Sequence, residues 1–477
     1  MSAFSHRPRV LTLILLLVFP LGSAVAADSP AVTKLGEVVP RVATRASVDQ
    51  QYSLYLPSAY TLEKCWPALI VLDPRGRAVM ALELFRAAAE RHGYVVLSSY
   101  QSRSDTAWAV TTEALKALLE ETEQRYSIDP QRVYLAGLSG TSRAAWAYAH
   151  LLSGRVAGVV GVAGARPHTI EIDDSYVGFD YFGITGRTDF NHREMVELSL
   201  ELVEADADHH LEIFDGGHSW PPPELAGSAL DWFQLQAMRS GQVPTDIEFV
   251  DSQLEQAIAR FESSREILER VRRCQDICRD FEGFRDVSSY PPRCRELVEG
   301  KDYKRAVARR SKIFDQEKIY VHRRLGPWLA KFHRDDQTPP TVSRSLIELQ
   351  IRSLQKRATS PDDAQDADSA QRLIDDVYAT AAYYLPRDMQ EAGNLDRAAL
   401  SLQVAIEVDP ARRRAYWALA EIYAEAGRKK SAFETLRQAI ALGRVDYDRL
   451  TTDPSWQLLR QDTAWEEILR LAEAAVD

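Results

Sequence analysis

A serine set between glycines is the first place in this chain where residue types and spacing could do chemistry. The apolar, β-branched run 133–138 is typical of a buried strand, and it leads into Gly137-Leu138-Ser139-Gly140 and then an Ala-rich helical pattern. A tight strand–turn–helix of this kind is a nucleophile elbow, which exposes a serine hydroxyl above the end of a sheet. Because such a turn is crowded and strained, it needs small residues around the serine. Gly137 meets that need, but Thr141 stands where a second glycine is usual.

A serine hydroxyl needs a base within hydrogen-bond reach before it can act as a nucleophile. Of the ten histidines, His218 has the best position, because it follows the short predicted strand 211–214 in a loop loosened by Gly216 and Gly217. His209 and His210 come before that strand and are expected at the opposite edge of the sheet. We therefore predict that His218 is the base.

The base must in turn be oriented by an acid, which is expected between the serine and the histidine in chain order. Asp189 follows the apolar strand that ends near Thr185, and it lies in a loop after Gly186. The other carboxylates of this region precede or enter that strand, and we interpret them as solvated loop residues: Asp173, Asp174 and Asp180. The predicted triad is Ser139, Asp189 and His218.

An oxyanion that forms during attack needs two backbone N–H donors. Gly140, directly after the serine, is the first candidate. The second is expected in the loop 73–77, from Arg75 or Gly76, although a simple Pro-Gly turn explains that loop equally well. Three residues near the strand ends are candidates to line an acyl pocket or are ordinary loop packing: Tyr100, Gln101 and Trp220.

These residues require a sheet whose strand ends meet, and the pattern up to about residue 243 supplies one. Apolar runs at 51–57, 66–73, 94–99, 132–138, 156–162, 178–185 and 211–214 alternate with helical patterns at 78–92, 106–126, 192–205 and 223–238. Alternating strands and helices predict an α/β fold with a mainly parallel sheet and helices on both faces. In such sheets the ligand site lies at the carboxyl ends of the strands, where all the candidate residues fall.

With these motifs in view, residues 50–240 resemble the α/β-hydrolase superfamily, and more narrowly the exported esterases related to polyhydroxyalkanoate depolymerases and feruloyl esterases. The matching features are the strand ending in Leu56-Pro57, the elbow at Ser139, and the Gly216-Gly217-His218-Ser219-Trp220-Pro221 stretch. The resemblance implies serine esterase chemistry in which Ser139 attacks, His218 moves the proton and Asp189 orients it. Thr141 departs from the family's second glycine.

Length and composition place this domain in a larger exported protein. The chain has 477 residues, which predicts two or three domains. Its net charge of −11 argues against nucleic acid or an anionic membrane surface as a partner. Arg7 and Arg9 precede the apolar run 10–19, and Ala24-Val25-Ala26 offers a cleavage site, so we predict a signal peptide over 1–26 and a periplasmic or secreted protein.

The predicted hydrolase domain spans 27–243, and the chain after it carries helical signals only. A linking helical domain is predicted over 244–375, with charged helices at 247–276, 301–334 and 342–355 whose charges are interpreted as solvated faces. Loops are expected at 335–340 and 359–368. The region between the elbow helix and the acid, 154–180, is short, so no inserted lid is expected and the site should be open on that side.

The segment 376–477 contains a repeat with an offset of 34 residues. Glu391-Ala392-Gly393 matches Glu425-Ala426-Gly427, and the same offset pairs Ala398 with Ala432, Leu402 with Leu436, Ala405 with Ala439 and Ile406 with Ile440. Together with Trp417, Leu419, Ala420 and Tyr423, this resembles the tetratricopeptide family over about 381–442, which implies stacked helix pairs and a concave surface that binds a protein partner. Pro386 is expected to kink the first helix of the repeat.

The four cysteines and the absence of cofactor motifs limit which disulfides, cofactors and metals can be predicted. A disulfide from Cys274 or Cys278 to Cys294 is plausible in an oxidising compartment, and Cys65 lies far away. No phosphate-binding loop, dinucleotide fingerprint or zinc motif is present, so no cofactor and no metal are predicted.

Two functions from different classes remain open on the sequence alone. The favoured hypothesis is an exported esterase that acts on a small or polymeric carboxylic ester. The alternative is a weakly active or inactive hydrolase-fold scaffold whose repeats bind a protein, suggested by Thr141 and by the repeats. An exported serine peptidase is less favoured, because no propeller or lid domain precedes the predicted hydrolase.

Overall fold

The structure is a computed structural model that describes residues 34–104, 106–170, 172, 178–334, 338–443 and 447–475. The predicted signal peptide lies outside the described residues, as do Asp173 and Asp174. In the described ranges, no helix has the length and apolar character needed to cross a membrane.

The first part of the chain forms one eight-stranded sheet in the order β1-β2-β4-β3-β5-β6-β7-β8. The strands are β1 Val38–Ala43, β2 Gln51–Tyr55, β3 Trp66–Leu72, β4 Val95–Ser99, β5 Ile128–Leu138, β6 Gly158–Val162, β7 Asp180–Gly186 and β8 His209–Phe214. β2 pairs antiparallel with β1 and β4, and the strands from β4 to β8 are parallel. The mainly parallel sheet predicted from the sequence is therefore present, with β1 as an additional edge strand.

Helices cover both faces of this sheet because its central strands are apolar on both sides. Ile70 and Leu135 belong to one buried cluster, while Val71 and Ala136 belong to the cluster on the opposite face. Successive side chains of a strand point to opposite faces, so a continuous apolar run builds two cores at once. The covering helices are α1 Ala78–Glu83, α2 Arg86–His92, α3 Trp108–Gln124, α4 Gly140–Leu151, α5 His192–Glu204 and α6 Pro223–Arg239.

The described chain after residue 246 is helical. Its α-helices are α7 Ile247–Ser263, α8 Ile267–Phe281, α9 Tyr290–Glu299, α10 Lys301–Tyr320, α11 Gly326–Phe332, α12 Val342–Glu348, α13 Ile351–Ala358, α14 Ala364–Ala379, α15 Leu385–Glu391, α16 Leu395–Val408, α17 Arg413–Glu425, α18 Lys429–Ala441, α19 Tyr447–Thr452, α20 Gln457–Arg460 and α21 Trp465–Ala474. A 3₁₀ turn at Pro454–Trp456 and π-helical turns at Val321–Leu325 and Thr380–Tyr384 complete it.

Pro386 lies inside a helical run rather than at a break. It is the second residue of α15, and the π-helical turn Thr380–Tyr384 connects α14 to α15 directly before it. A proline has no N–H and crowds the carbonyl four residues back, and a π turn relieves that conflict by widening the ladder locally. The predicted disturbance of the helix thus takes the form of a π turn.

The interpretation of the charged helices as solvated faces is wrong for their inner sides. Arg273 of α8 pairs with Glu212 of β8 at 2.5 Å, and both side chains are buried. Arg372 of α14 pairs with Glu317 of α10 at 2.6 Å, also buried. These pairs lie where the helices pack on the sheet domain and on each other, so the charges join the two parts of the molecule.

The cysteine cluster forms one disulfide, between Cys274 of α8 and Cys294 of α9. Cys278, the other partner considered from the sequence, is a free thiol whose Sγ lies 3.8 Å from Cys294 Sγ. Cys65 is free and exposed. The bridge joins α8 and α9 within a buried cluster that also contains Leu235 and Met238 of α6.

Candidate active site

Ser139 sits in the turn between β5 and α4, with the strained backbone that the sequence pattern predicts. Its φ is 58° and its ψ is −124°, and it is the residue immediately before the first residue of α4. A positive φ is unfavourable for a residue with a Cβ and marks a position held by its surroundings. Here the Ser139 N–H donates to Val162 O of β6 at 2.8 Å. The hydroxyl is therefore held at the carboxyl ends of the parallel strands.

Close backbone approach explains the small residues around this turn. A Cβ on Gly137 would lie 2.4 Å from Thr141 O, and a Cβ on Gly164 would lie 2.4 Å from Ser139 O. Thr141 is tolerated because its side chain is buried and bonded: Oγ1 lies 2.5 Å from Leu72 O and accepts from the Leu138 N–H at 3.1 Å. The threonine thus fastens the turn to β3.

Asp189 and His218 meet because β7 and β8 are parallel neighbours whose following loops share one edge of the sheet. His218 Nδ1 is 3.0 Å from Asp189 Oδ1, which also accepts from the Asn191 N–H at 2.8 Å. Asp189 is fully buried. The Thr188 N–H donates to Gly216 O at 3.0 Å and joins the two loops. A buried carboxylate on Nδ1 favours the tautomer in which Nε2 is free to accept a proton.

His218 and Ser139 line the same cavity. Within the described chain they share no direct hydrogen bond, a contact that often tightens only when substrate is bound. The ring of Phe190 stacks on His218 with centroids 4.2 Å apart, and Phe190 also lines the cavity. The imidazole is therefore held between an aromatic face and a buried carboxylate.

The backbone N–H groups of the loop after β3 are already bonded within the loop. The N–H groups of Arg75 and Arg77 donate to Asp73 Oδ1 at 2.9 and 3.0 Å, and the Gly76 N–H donates to Asp73 O at 3.0 Å. The expectation that Arg75 or Gly76 offers an oxyanion donor is not supported by this arrangement. Gly140 begins α4, where the first N–H groups have no partner within the helix.

Asp73 organises that loop and also holds Trp220. Burial acts to raise the pKa of Asp73, but hydrogen bonds from the Arg77 guanidinium, the Trp220 indole and the loop N–H groups outweigh it and hold the pKa below its usual value. Trp220 Nε1 donates to Asp73 Oδ2 at 2.9 Å, and Trp220 lines the cavity. Trp220 therefore lies at the site, and its indole N–H is already bonded to Asp73.

Tyr100 and Gln101 lie elsewhere. The Tyr100 hydroxyl donates to Pro40 O at 2.5 Å, and the guanidinium of Arg41 lies over its ring at 4.2 Å. Gln101 accepts from the Gln51 N–H at 2.8 Å. Both residues secure the antiparallel edge of the sheet, so the prediction that they line an acyl pocket is not supported.

The cavity over Ser139 is large, about 1650 Å³, and the helical part of the chain forms its second wall. The sheet domain contributes Arg75, Ser104, Ser139, Phe190, His218 and Trp220, and the helices contribute Asp375, Tyr378, Tyr383, Arg387, Arg412 and Arg414. The sequence predicts only that the region 154–180 inserts no lid and leaves the site open on that side. The second wall comes from a different part of the chain, whose lining residues begin at Asp375.

Helix α14 holds this wall against the acid and base loops. Arg372 Nη1 donates to Arg187 O at 2.9 Å, two residues before Asp189. Asp375, one turn later, lies close enough that a Cβ on Gly217 would be 3.5 Å from its Oδ2. The same helix therefore touches both loops that supply the predicted acid and base.

The sequence pattern does not indicate three residues of the site. Ser104 lies against the start of α4, where a Cβ on Gly140 would be 2.6 Å from the Ser104 Cβ. Phe190 follows Asp189 directly in the chain, so an aromatic residue next to the predicted acid is a sequence feature that could have indicated it. Tyr383 belongs to a helix with no local sign of a role in catalysis, so only the tertiary structure could reveal it.

The described residues contain no group of three or more His, Cys, Asp or Glu side chains arranged to hold a metal ion. What the site offers is a hydroxyl, an imidazole, a buried carboxylate and a helix N-terminus around one cavity. The eight-stranded sheet with its serine at the turn after β5 fits an α/β-hydrolase architecture followed by a helical domain.

Comparison with known proteins adds likenesses to solved structures. No family model matches the chain, and no curated protein matches it. A ferulic acid esterase aligns at 19% identity over 41% of this chain and 94% of its own, with a TM-score of 0.33. The S-formylglutathione hydrolase of Staphylococcus aureus aligns at 14% identity over 42% of this chain and 98% of its own, with a TM-score of 0.34. Est1E from Butyrivibrio proteoclasticus aligns at 12% identity over 42% of this chain and 100% of its own, with a TM-score of 0.35.

Proposed function

We propose that this protein is a serine hydrolase of carboxylic esters that works through an acyl-enzyme on Ser139. The observation that carries the proposal is the Asp189–His218 contact at 3.0 Å in the cavity that also contains the strained Ser139. A hydroxyl, an imidazole and a buried carboxylate at three strand ends are the components of nucleophilic acyl transfer.

In the proposed reaction, Ser139 Oγ attacks the acyl carbon while His218 Nε2 accepts its proton. Asp189 stabilises the imidazolium that forms, and the N–H of Gly140 at the start of α4 donates to the developing oxyanion. His218 then gives the proton to the departing alcohol. Water, deprotonated by the same imidazole, releases the acid and restores the serine.

We further infer that the helix pairs near the C-terminus are tetratricopeptide-like and that their inner side belongs to the substrate site. The support is that residues paired at the repeat offset are buried alike, with Ala398, Ala432, Leu402 and Leu436 all at 0% exposure. A cavity of about 1650 Å³ exceeds the usual size of a small-molecule pocket, which suits a long or polymeric ester. Export to the periplasm or medium is part of the proposal, supported by the 1–26 pattern and by the disulfide.

Labelling with a fluorophosphonate probe tests the activated serine. The wild-type protein is expected to label, Ser139→Ala to lose labelling completely, and His218→Ala to lose most of it. Ser219→Ala is the matched control, because Ser219 lines the same cavity beside His218 and should label like the wild type. Absence of labelling in a folded wild-type protein would contradict the proposal and favour the binding scaffold.

Steady-state kinetics then tests the ester preference. p-Nitrophenyl butyrate should be hydrolysed with Ser139-dependent kcat, while the matching p-nitroanilide should not be cleaved at a comparable rate. Amide cleavage equal to ester cleavage would instead indicate a peptidase.

A further inference from the structure

The two walls of the cavity together form a cationic cluster that the proposed chemistry does not use. Arg75 of the sheet domain and Arg414 of α17 both approach Tyr383, with their guanidinium carbons 5.8 and 4.3 Å from its ring centroid. Arg75 Nη2 also lies 3.5 Å from the Tyr383 hydroxyl. We refer to Arg75, Tyr383 and Arg414 as the Arg–Tyr–Arg cluster. All three residues line the catalytic cavity.

Arg75 differs from most arginines of this protein in its partners. Within the described ranges, no carboxylate lies at ion-pair distance from its guanidinium. Its neighbour Arg77, by comparison, is bound to the buried Asp73 at 2.8 Å. Arg75 is exposed to the cavity, so its charge is available to a molecule that enters there.

Among the described residues, four acids line the same cavity, and each has a hydrogen-bond or ion-pair neighbour: Asp375, Glu391, Glu421 and Glu425. Asp375 accepts from Gln371 and from Arg412, Glu425 accepts from Gln390, and Glu421 accepts from the Trp417 indole at 2.9 Å. Burial raises the pKa of Asp375, while the neighbouring Arg412 acts to lower it. Asp375 is thus paired with Arg412 and Glu391 with Arg387, whereas the donors to Glu421 and Glu425 are neutral groups. Within the described ranges no carboxylate lies at ion-pair distance from Arg75, so a ligand in the cavity can pair with its charge.

Guanidinium groups held over an aromatic ring are rigid and only weakly hydrated, which suits them to bind carboxylates. The cluster lines the same cavity as Ser139, in which a bound ester must lie. We propose that the physiological ester carries an anionic group, a carboxylate on its acyl or alcohol part, which binds to Arg75 and Arg414 beside Tyr383. This inference rests on the proposed function and narrows its substrate to acidic esters.

Matched pairs of esters test the inference. On the acyl side, p-nitrophenyl hemiesters of dicarboxylic acids from succinate to suberate are compared with neutral p-nitrophenyl esters of equal chain length. On the alcohol side, the butyrate ester of 4-hydroxybenzoate is compared with the butyrate ester of its methyl ester. At least one acidic ester should have a higher kcat/KM than its neutral partner, and the arm in which it appears identifies the charged side of the substrate.

Substitutions assign the preference to the cluster. Arg75→Gln and Arg414→Gln should each lower the ratio of acidic-ester to neutral-ester kcat/KM by about tenfold, the loss expected for one charge-assisted hydrogen bond. The ratio within one variant cancels any general loss of activity. Arg86→Gln is the matched control, since it removes an equal charge from an arginine paired with Glu83 outside the cavity, and its ratio should stay at the wild-type value.

The two levels of the proposal fail in different ways. Loss of fluorophosphonate labelling and of all ester hydrolysis overturns the proposed function. Normal hydrolysis of neutral esters with no acidic ester preferred in either arm overturns only the anionic substrate. A preference that Arg75→Gln, Arg414→Gln and Arg86→Gln all reduce equally also overturns it, because the preference would then reflect the overall charge of the protein.

Discussion

The imidazole of His218 depends on one oxygen of Asp189. That oxygen, Oδ1, accepts both the Nδ1 contact at 3.0 Å and the Asn191 N–H at 2.8 Å, while Oδ2 is buried with no partner in the described structure. An amide in place of the carboxylate keeps the size of the side chain but removes the charge that stabilises the imidazolium. Asparagine at this position should therefore both misorient the imidazole of His218 and leave the imidazolium without a compensating charge.

We predict that Asp189→Asn lowers kcat for ester hydrolysis by about 10⁴, as expected when the acid of a serine triad is neutralised. The measurement is steady-state hydrolysis of p-nitrophenyl butyrate at neutral pH. Retained thermal unfolding temperature serves as the folding control. A decrease of less than about tenfold would assign the role of acid to another residue.

Thr141 stands where a glycine was expected, and its hydroxyl forms hydrogen bonds that stabilise the turn. Its Oγ1 accepts from the buried Leu138 N–H and lies within hydrogen-bond distance of Leu72 O. We predict that Thr141→Val lowers the free energy of unfolding by about 1–3 kcal/mol, because the N–H is left buried without a partner. Urea unfolding measures the change, and Thr141→Ser, which keeps the hydroxyl, should lose clearly less. Equal losses in the two variants would show that the hydroxyl contributes no more than the methyl group that serine lacks.

The residues of the predicted triad could be chosen from sequence because each follows an apolar strand in a recognisable order. The donors of the loop after β3 could not, since the direction of the Arg75 and Gly76 N–H groups depends on how Asp73 folds back onto them. Tyr100 was misplaced for a similar reason. Its position after β4 is at the correct end of the sheet, but its side chain turns toward β1, a strand with no clear signal in the sequence.

At the scale of elements, β7 and α5 are joined through a buried histidine. His192, the first residue of α5, has its Nδ1 3.1 Å from Gly186 O, and its N–H donates to Asp189 O at 2.8 Å. Burial, assisted by the nearby charge of Arg372, lowers the pKa of His192 to about 3. The neutral ring is thus part of the structure that holds the acid loop.

Because the pKa of His192 is lowered, the free energy of unfolding should decrease as the pH falls. In the unfolded chain the histidine takes up a proton below its ordinary pKa, while the folded protein resists protonation until pH approaches 3, so stability present above pH 6.5 is lost on acidification. The contribution is about 2 kcal/mol between pH 6.5 and 5. We predict that His192→Asn shows a correspondingly smaller loss of unfolding free energy over this range in urea titrations. His168→Asn, at an exposed position, should keep the wild-type slope. Equal slopes for all three proteins would contradict the assignment.

The hydrophobic pattern of the sequence was sufficient to locate the strands but not the breaks between consecutive helices. The continuous apolar runs of β3 to β8 were found, since a strand covered on both faces needs such a run. The helical pattern over 78–92 was predicted as one helix, but the chain turns at Leu84 and Phe85 to form two. The predicted helix over 247–276 is likewise divided between α7 and α8, and 342–355 between α12 and α13, where Gln350 takes a positive φ. Periodicity continues across such breaks, because both helices face the same core.

At the scale of the whole molecule, the sequence predicted the two kinds of domain but not how they meet. The helical wall of the cavity depends on contacts such as Arg75–Tyr383 and Arg372–Arg187, which join residues far apart in the chain. Charged residues that look like a solvated helix face in sequence become buried pairs when that face packs on another domain. Local composition contains no information about which charges will be covered.

The Arg372–Glu317 pair allows this interface to be tested. Glu317 Oε1 accepts from Arg372 at 2.6 and 3.0 Å and from Ser369 at 2.7 Å, all inside the protein. We predict that Glu317→Gln lowers the free energy of unfolding by about 3–5 kcal/mol, because it leaves Arg372 buried without a counter-charge. Asp363→Asn is the matched control, since Asp363 pairs with Arg309 at the surface and the amide can still cap α14; its cost should be below about 1 kcal/mol.

The double variant Glu317→Leu with Arg372→Met separates stability from the positioning of the acid loop. Replacing both charges with apolar side chains removes the uncompensated charge, so most of the unfolding free energy lost in Glu317→Gln should return. The hydrogen bond from Arg372 to Arg187 O is still missing in this protein, and the loop that carries Asp189 loses its anchor to α14. We therefore expect a stable enzyme with reduced kcat and a pH profile shifted from that of the wild type, because His218 is less well oriented. Wild-type kcat and pH profile in the stable double variant would show instead that the helical domain covers the site without holding its acid in place.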